Sequence, residues 1–350
     1  MSRQTVLIFD EAYRRPEGDG GSRALHDLHR TLVELGHDAT LSSAPASLRA
    51  QHWDTVFMSR PMQALRWASL AQASGRRRIF VGHDLHHLRI AGELRAEGKA
   101  AGPDQAMAAV ERAGWRLYGL SLYPAASECA VVSAAGGRGR WFPYYRIDAV
   151  RPPRQRQLRD PRPLLLFVGG AAHKPNVLGM GWFADHVLPL LGDVSTVVAG
   201  TWPQETRLSL EAKGIAFAGF CSDEDLDALR AEATALIAPL ICGAGLKCKV
   251  IEAMASGVPL ITSSIGLQGI EASQEVALRA DTPGAWVTAL RSITEDDGLV
   301  AGRCAAAAAY VEMRHGPPVY IARLRDILRE ADELERTDNC MGAAQQGANP

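Results

Sequence analysis

The sequence predicts an α/β protein of two domains, each a parallel β-sheet wrapped by helices. Three observations carry this reading. Strand-type and helix-type patterns alternate through both halves, a proline- and arginine-rich segment at residues 151–163 separates them, and 350 residues suit about two domains of ~150 each.

The first half opens with a continuous apolar run at residues 5–10, as expected of a strand buried on both faces. Residues 22–35 place Leu25, Leu28, Leu32 and Leu35 at helical spacing, and Gly36 stops that helix. Residues 38–41, 54–58 and 78–82 read as further strands with helices between them, and Val131 and residues 141–145 as the last strands of this half. Residues 151–163 lack any apolar period and read as a linker. Beyond it, strands are predicted at 164–168, 195–199, 215–220, 235–239 and 259–263, and helices at 176–191, 225–231 and 246–255. Residues from 282 onward are largely helical, and Pro317-Pro318 precedes a last amphipathic helix at about 319–334. The domain boundaries are therefore 1–155, 156–316 and a final helix at 317–336, with a disordered tail at 337–350 rich in Gly, Ala, Gln and Asn.

With 47% hydrophobic and 22% charged residues, the composition excludes disorder, collagen and coiled coil. The net charge of -1 hides unlike halves: residues 1–162 carry 24 Arg and Lys against 16 Asp and Glu, and the remainder 14 against 23. Of the basic residues 33 are Arg and only 5 are Lys, so two lysines one residue apart, Lys247 and Lys249, stand out. The six cysteines form no CxxC pair, which predicts reduced thiols in a cytoplasmic protein, no disulfide and no structural zinc. No targeting segment is visible, and the longest uncharged window, 253–270, is interrupted by Gly257 and Pro259, so no transmembrane helix is expected.

Ligands of open α/β sheets bind outside the carboxyl ends of the strands, so the loops after strands should carry the chemistry. The most informative is Pro239-Leu-Ile-Cys-Gly-Ala-Gly-Leu-Lys-Cys-Lys-Val-Ile-Glu-Ala-Met-Ala-Ser-Gly-Val-Pro259. A strand ends, a glycine turn follows and a helix opens; its free N–H groups and positive end suit a phosphate, with Lys247 and Lys249 adding charge. Glu252 lies three residues beyond Lys249, placed to accept hydrogen bonds from sugar hydroxyls. By spacing alone this is half a dinucleotide fingerprint, and a solvated helix start is the alternative.

The string Gly-Ala-Gly-Leu-Lys-x-Lys-Val-Ile-Glu-Ala-Met-Ala-x-Gly-x-Pro resembles the donor-binding signature of family 4 glycosyltransferases, the large retaining group with the GT-B fold. Pro16-Glu-Gly-Asp-Gly-Gly-Ser-Arg23 is similar to the family's first glycine loop, and Val81-Gly-His-Asp-Leu-His-His-Leu-Arg89 to the Asp-Leu-His-x-Leu-Arg loop of a bacterial subgroup. Phe167-Val-Gly-Gly-Ala-Ala-His-Lys-Pro-Asn176 and the segment 259–269 resemble further loops of that subgroup, so the likeness spans about residues 5–330. It implies two Rossmann-like domains facing each other across a cleft, the last helix packing back on the first domain. A sugar would move from a nucleotide-diphosphate donor to an acceptor hydroxyl, with retention and without a metal or other cofactor.

For the donor side the resemblance implies Gly169, Gly170, Lys174, Gly219, Phe220, Gly243, Ala244, Gly245 and Leu246, with Lys247 and Lys249 on the diphosphate and Glu252 on the ribose. Phe220 is equally plausible as core and Lys174 as a surface lysine. Two departures stand out: the first of the family's two glutamates is Ala244, and an arginine often found after the glycine of the earlier loop is Gly170. In the first half, His83 or Asp84 would orient the sugar or stabilise the leaving phosphate, and Asp19, Gly20, Gly21, Ser22, His86 and Arg89 would serve phosphate or acceptor. The bland alternatives are loop capping by Asp84, helix capping by Ser22 and an Arg89–Glu93 pair. Three histidines after one strand invite a metal reading, but no Cys or Glu stands at ligand spacing.

No Walker A, HExxH or GxSxG motif is present, and the dispersed arginines lack an aromatic platform, which argues against nucleic acid. The alternatives to a transferase are a non-catalytic nucleotide-sugar binder or partner subunit, suggested by Ala244 and Gly170, and a nucleotide-sugar epimerase. Expected partners are a nucleotide sugar and a hydroxyl acceptor; the basic first half favours an anionic or lipid-linked acceptor at a membrane face, and the resemblance to the bacterial subgroup implies surface polysaccharide or glycoconjugate synthesis.

Overall fold

A computed structural model describes residues 3–13, 19–153 and 162–346. Pro16, Glu17 and Gly18 of the first glycine loop and most of the predicted linker lie outside the described residues. The chain folds as two compact units. One holds the residues up to His87, Pro103–Arg146 and the chain from Pro317; the other holds Leu88–Gly102 and Ile147–Gly316.

The first unit begins with β1 (Thr5–Phe9), α1 (Gly20–Glu34), β2 (Asp38–Ser42), β3 (Trp53–Ser59), α2 (Pro61–Arg66), α3 (Ala68–Ser74) and β4 (Gly75–Val81). Helix α4 (His86–Ala96) follows, then α5 (Gln105–Leu117), β5 (Leu120–Tyr123), α6 (Ala126–Ala134) and β6 (Gly139–Trp141). The six strands lie in the order β2-β1-β3-β4-β5-β6, all parallel. Val6–Phe9 are fully buried, as the apolar run requires. Val131, expected as a strand, lies in α6; the strand before it is Leu120–Tyr123, a run too short to separate from the preceding helical pattern by periodicity. At Gly82, directly after β4, a Cβ would sit 2.2 Å from the Tyr123 ring, so only glycine fits there.

The second unit contains β7 (Leu164–Val168), α7 (Lys174–Trp182), β8 (Ser195–Ala199), α8 (Gln204–Glu211), β9 (Ile215–Gly219), α9 (Asp223–Glu232) and β10 (Ala235–Ala238). It continues with α10 (Cys248–Ala255), β11 (Leu260–Thr262), α11 (Ser273–Val276), β12 (Leu278–Arg279), α12 (Pro283–Glu295) and α13 (Asp297–His315). The sheet order is β12-β11-β10-β7-β8-β9, also parallel throughout. The helix expected over 176–191 ends at Trp182 and passes through a π turn at Phe183–Val187 into a 3₁₀ turn at Leu188–Leu190, where Pro189 cannot continue the α ladder.

The last helix, α14 (Pro317–Gln346), packs in the first unit. Tyr320, Leu324, Ile327 and Leu328 are buried, Tyr320 meets Phe142 ring to ring at 4.9 Å, and Arg140 holds Glu330 with a 2.8 Å bond from Nε. Arg77 pairs with Asp332 and Arg76 with Glu335. The helix continues to Gln346 where composition suggests a disordered tail from 337: Ala, Met and Gln sustain helical backbone although they offer no amphipathic pattern. Residues 347–350 lie outside the described residues.

Candidate functional site

In each sheet one place reverses the strand order, and a loop leaves on either side of it. In the first unit this switch lies between β1 and β3, in the second between β7 and β10. Both carry a polar cluster.

In the first unit Asp10 follows β1 and is fully buried. Its carboxylate accepts four hydrogen bonds: Oδ1 from Ala12 N at 2.8 Å and Gln63 Nε2 at 3.0 Å, Oδ2 from Ser59 Oγ at 2.8 Å and Arg60 Nε at 2.9 Å. Burial opposes ionisation, but Arg60, His83 and the hydrogen bonds outweigh it, so the carboxyl lies below its ordinary range. Ser59 Oγ also meets His83 Nε2 at 2.7 Å. The His83 backbone N donates to Tyr144 OH at 3.2 Å, and the two rings pack edge to face at 5.4 Å. Burial, with Arg60 nearby, pushes the imidazole down to about 4, so it is neutral at pH 7. Arg60 and His83 both have positive φ, 64° and 61°, a strained conformation for residues with a side chain.

Asp19 caps α1, accepting from Ser22 N at 2.9 Å and Ser22 Oγ at 3.1 Å, so Asp19 rather than Ser22 is the N-cap. Gly20 and Gly21 open the helix beside it, and a Cβ on Gly21 would lie 3.1 Å from Arg60 Nη2 and 3.4 Å from His83 Cε1. Asp19, Gly21 and His83 are thus brought together. Of the other histidines, His86 Nδ1 lies 2.9 Å from Asp84 Oδ1, and His87 Nδ1 lies 2.5 Å from the fully buried Glu111, which also accepts from the His86 backbone N at 2.8 Å. These contacts close the start of α4. Arg89 donates to Glu93 at 3.0 Å, the local pair named as its alternative. Among the described residues no group of three or more His, Cys, Asp or Glu is arranged to hold a metal ion.

In the second unit α10 starts at Cys248, two residues later than expected, with Lys247 as its cap residue. Lys247 is buried; its amine donates to Gly245 O at 2.6 Å and Gln268 Oε1 at 2.7 Å, bracing the glycine turn. Lys249 reaches toward the end of β7: its Nζ lies 4.6 Å from the Phe167 ring centroid and donates to Asn176 Oδ1. Asn176 Nδ2 in turn donates to Gly170 O at 2.7 Å. Gly169, at φ 157°, makes this approach possible, since a Cβ there would lie 2.6 Å from Lys249 Nζ and 2.9 Å from Asn176 Nδ2. Burial pushes the Lys249 amine down to about 7, against the opposing pull of Cys248 and Glu252.

Glu252 lies one turn beyond Cys248, whose Sγ donates to its Oε1 at 3.3 Å. Gly243, Ala244 and Gly245 form the turn after β10, and Leu246 is buried beneath it. Lys174, at the start of α7, forms an ion pair with Glu97, which also accepts from Lys99 at 2.8 Å; hydrogen bonds from both lysines hold the Glu97 carboxyl down to about 2. Phe220 follows Gly219 and is 60% exposed, so it is not core. Sequence reasoning did not single out Ser59, Arg60, Gln63 or Asn176 as site residues. The available signal was position: Asp10 and Ser59 are the first polar residues after the buried apolar runs of β1 and β3, at the switch point.

Cys129, Cys221, Cys242, Cys248 and Cys304 are unbridged, and among the described residues no helix is long and apolar enough to cross a membrane.

Residues 162–296 match the family model "Glycosyl transferases group 1". No curated protein sequence matches the chain significantly. Among solved structures, a sucrose-phosphate synthase from Thermosynechococcus elongatus is similar at a TM-score of 0.77 and 16% identity, covering 94% of this chain and 99% of that one. Anabaena HepE in complex with UDP and glucose is similar at 0.68 and 14% identity, covering 93% and 100%. A glycosyltransferase from Rickettsia africae is similar at 0.64 and 12% identity, covering 95% and 99%. The structural likeness establishes the GT-B fold, and the match over residues 162–296 supports a glycosyltransferase.

Proposed function

We propose that the chain is a retaining, metal-independent glycosyltransferase of family 4 that moves a sugar from a nucleotide-diphosphate donor to an acceptor hydroxyl. The observation that carries this is the cluster at the β7/β10 switch point: Gly169, Lys249, Asn176 and the glycine turn before α10, all within the family-model match. Helix α10 presents its N-terminus there, Lys249 supplies charge to the diphosphate, Glu252 accepts from the ribose diol, and exposed Phe220 offers a face to the base. His83 and Asp84 contact the transferred sugar. Retention follows from front-face attack, the departing phosphate taking the proton of the incoming hydroxyl. The surplus of basic residues before position 163 favours an anionic or lipid-linked acceptor at the cytoplasmic face of a membrane, and the resemblance to the bacterial subgroup suggests surface polysaccharide or glycoconjugate synthesis.

The test is turnover of a panel of nucleotide sugars, headed by UDP-glucose because HepE binds it. Wild type should hydrolyse or transfer at least one, and Glu252→Ala should lower kcat/KM at least about tenfold. Unchanged activity in Glu252→Ala removes the site assignment. A second reading, a non-catalytic nucleotide-sugar binder, is favoured by Ala244 and by the engagement of Lys174 with Glu97. It predicts tight donor binding with no turnover.

A further inference from the structure

The hydrogen bonds around Asp10 determine which nitrogen of His83 carries the proton. Asp10 is an acceptor at both oxygens, with two donors on each. Gln63 cannot reverse this, because its Oε1 accepts from Glu11 N at 2.8 Å, which leaves its Nε2 to face Asp10. The single proton of Ser59 Oγ is therefore committed to Asp10 Oδ2, and toward His83 the hydroxyl offers only a lone pair. His83 Nε2 must then be the N–H, and a neutral ring is left with an unprotonated Nδ1.

We infer that Asp10 and Ser59 are positioning residues that lock His83 as its Nε2–H tautomer, presenting Nδ1 as a hydrogen-bond acceptor for a sugar hydroxyl. The substrate part of this inference rests on the glycosyltransferase reading; the tautomer part does not. The surroundings fit the role. Tyr144 fixes the ring from one side through the His83 backbone N and an edge contact, and Gly21 leaves space beside Cε1, the carbon between the two nitrogens. The strained backbones of Arg60 and His83 occur at the two residues that bring their side chains to Asp10 and Ser59. The charged and titratable groups facing His83 are Asp10 on the β1 side, Arg60 after β3, Asp84 and His86 on its own loop, and the Tyr144 hydroxyl. The burial that holds the ring neutral keeps the lone pair available at physiological pH.

The experiment uses the full chain with ¹⁵N-labelled histidine, His83 being assigned by loss of its signals in His83→Asn. At pH 7 wild type should show a protonated Nε2 and a pyridine-like Nδ1 at His83; a protonated Nδ1, or a doubly protonated ring, overturns the lock. Ser59→Thr keeps the hydroxyl and should keep the tautomer, whereas Ser59→Ala should give a mixed or reversed one. An unaltered tautomer in Ser59→Ala also overturns the inference. For a nucleotide sugar that wild type turns over, Ser59→Ala should lower kcat about tenfold or more, leave the affinity for the nucleoside diphosphate alone unchanged, and be rescued by Ser59→Thr. A reversed tautomer with undiminished kcat overturns the hydroxyl-acceptor role. A donor sugar at Nδ1 would move its resonance on adding nucleotide sugar but not nucleoside diphosphate, and an acceptor hydroxyl would move it only on adding acceptor. Absence of turnover with every donor defeats the enzyme reading, while the tautomer result stands or falls separately.

Discussion

The ammonium group of Lys249 sits 4.6 Å above the ring of Phe167, its hydrogen bond going to Asn176 rather than to a carboxylate. A lysine so placed is short of counter-charge, and burial brings it to about 7. A diphosphate would supply what is missing. Binding of a nucleoside diphosphate at pH 8 should therefore take up about one proton, read by calorimetry in buffers of different ionisation enthalpy, and Lys249→Met should abolish the uptake. An equal heat in all buffers for wild type would place the diphosphate elsewhere.

The same depressed value has a stability consequence of definite sign. Between pH 7 and the ordinary lysine value the unfolded chain holds a proton that the folded chain lacks, so Lys249 makes stability rise with pH across that window. Denaturant midpoints for wild type minus Lys249→Met should increase from pH 7 toward 9.5.

His83 acts on the acid side. Its folded value of about 4 lies below its ordinary 6.5, so the unfolded chain binds the extra proton and stability falls as pH drops from 6.5 toward 4. Asp10 adds a second loss at lower pH: its depressed carboxyl stabilises above about 3.8 and ceases to as pH falls through the folded value. His83→Gln should flatten the first limb and weaken the second without removing it, because Arg60 and the hydrogen bonds to Asp10 remain, as unfolding curves at half-unit pH steps would show.

Gly169→Ala tests the approach of Lys249. The added Cβ meets Lys249 Nζ and Asn176 Nδ2, and φ 157° disfavours a side chain. We expect a loss of about 1–3 kcal/mol in stability and a weaker nucleotide-diphosphate affinity. An unchanged affinity would separate Lys249 from the ligand.

Gly82→Ala probes the opposite unit, where the new methyl meets the Tyr123 ring at 2.2 Å. It should cost about 1–3 kcal/mol, and the double variant with Tyr123→Leu should cost less than the sum of the two singles, measured as a double-mutant cycle.

Much of this architecture was readable from pattern. Buried parallel strands announce themselves as apolar runs, which is why β1, β7, β8 and β10 were placed within a residue or two. The β5–α6 region was misread because Val131 favours a strand by propensity, yet it lies half exposed on a helix that is anchored by its buried neighbour Val132. The second-unit cluster was legible because its residues fall in one contiguous motif. The first-unit cluster was legible only in part: His83 was named from its loop, but Asp10 and the segment from Ser59 to Gln63 come from two other places in the chain, and only the strand order brings the three together.

Helix α14 belongs to the first unit but comes last in the chain. During synthesis the first sheet must therefore wait, with Arg76, Arg77 and Arg140 lacking Glu335, Asp332 and Glu330, until every residue of the second unit has been made. The apolar stripe of Tyr320, Leu324, Ile327 and Leu328 closes over it afterwards, so the half of the molecule begun first is finished second.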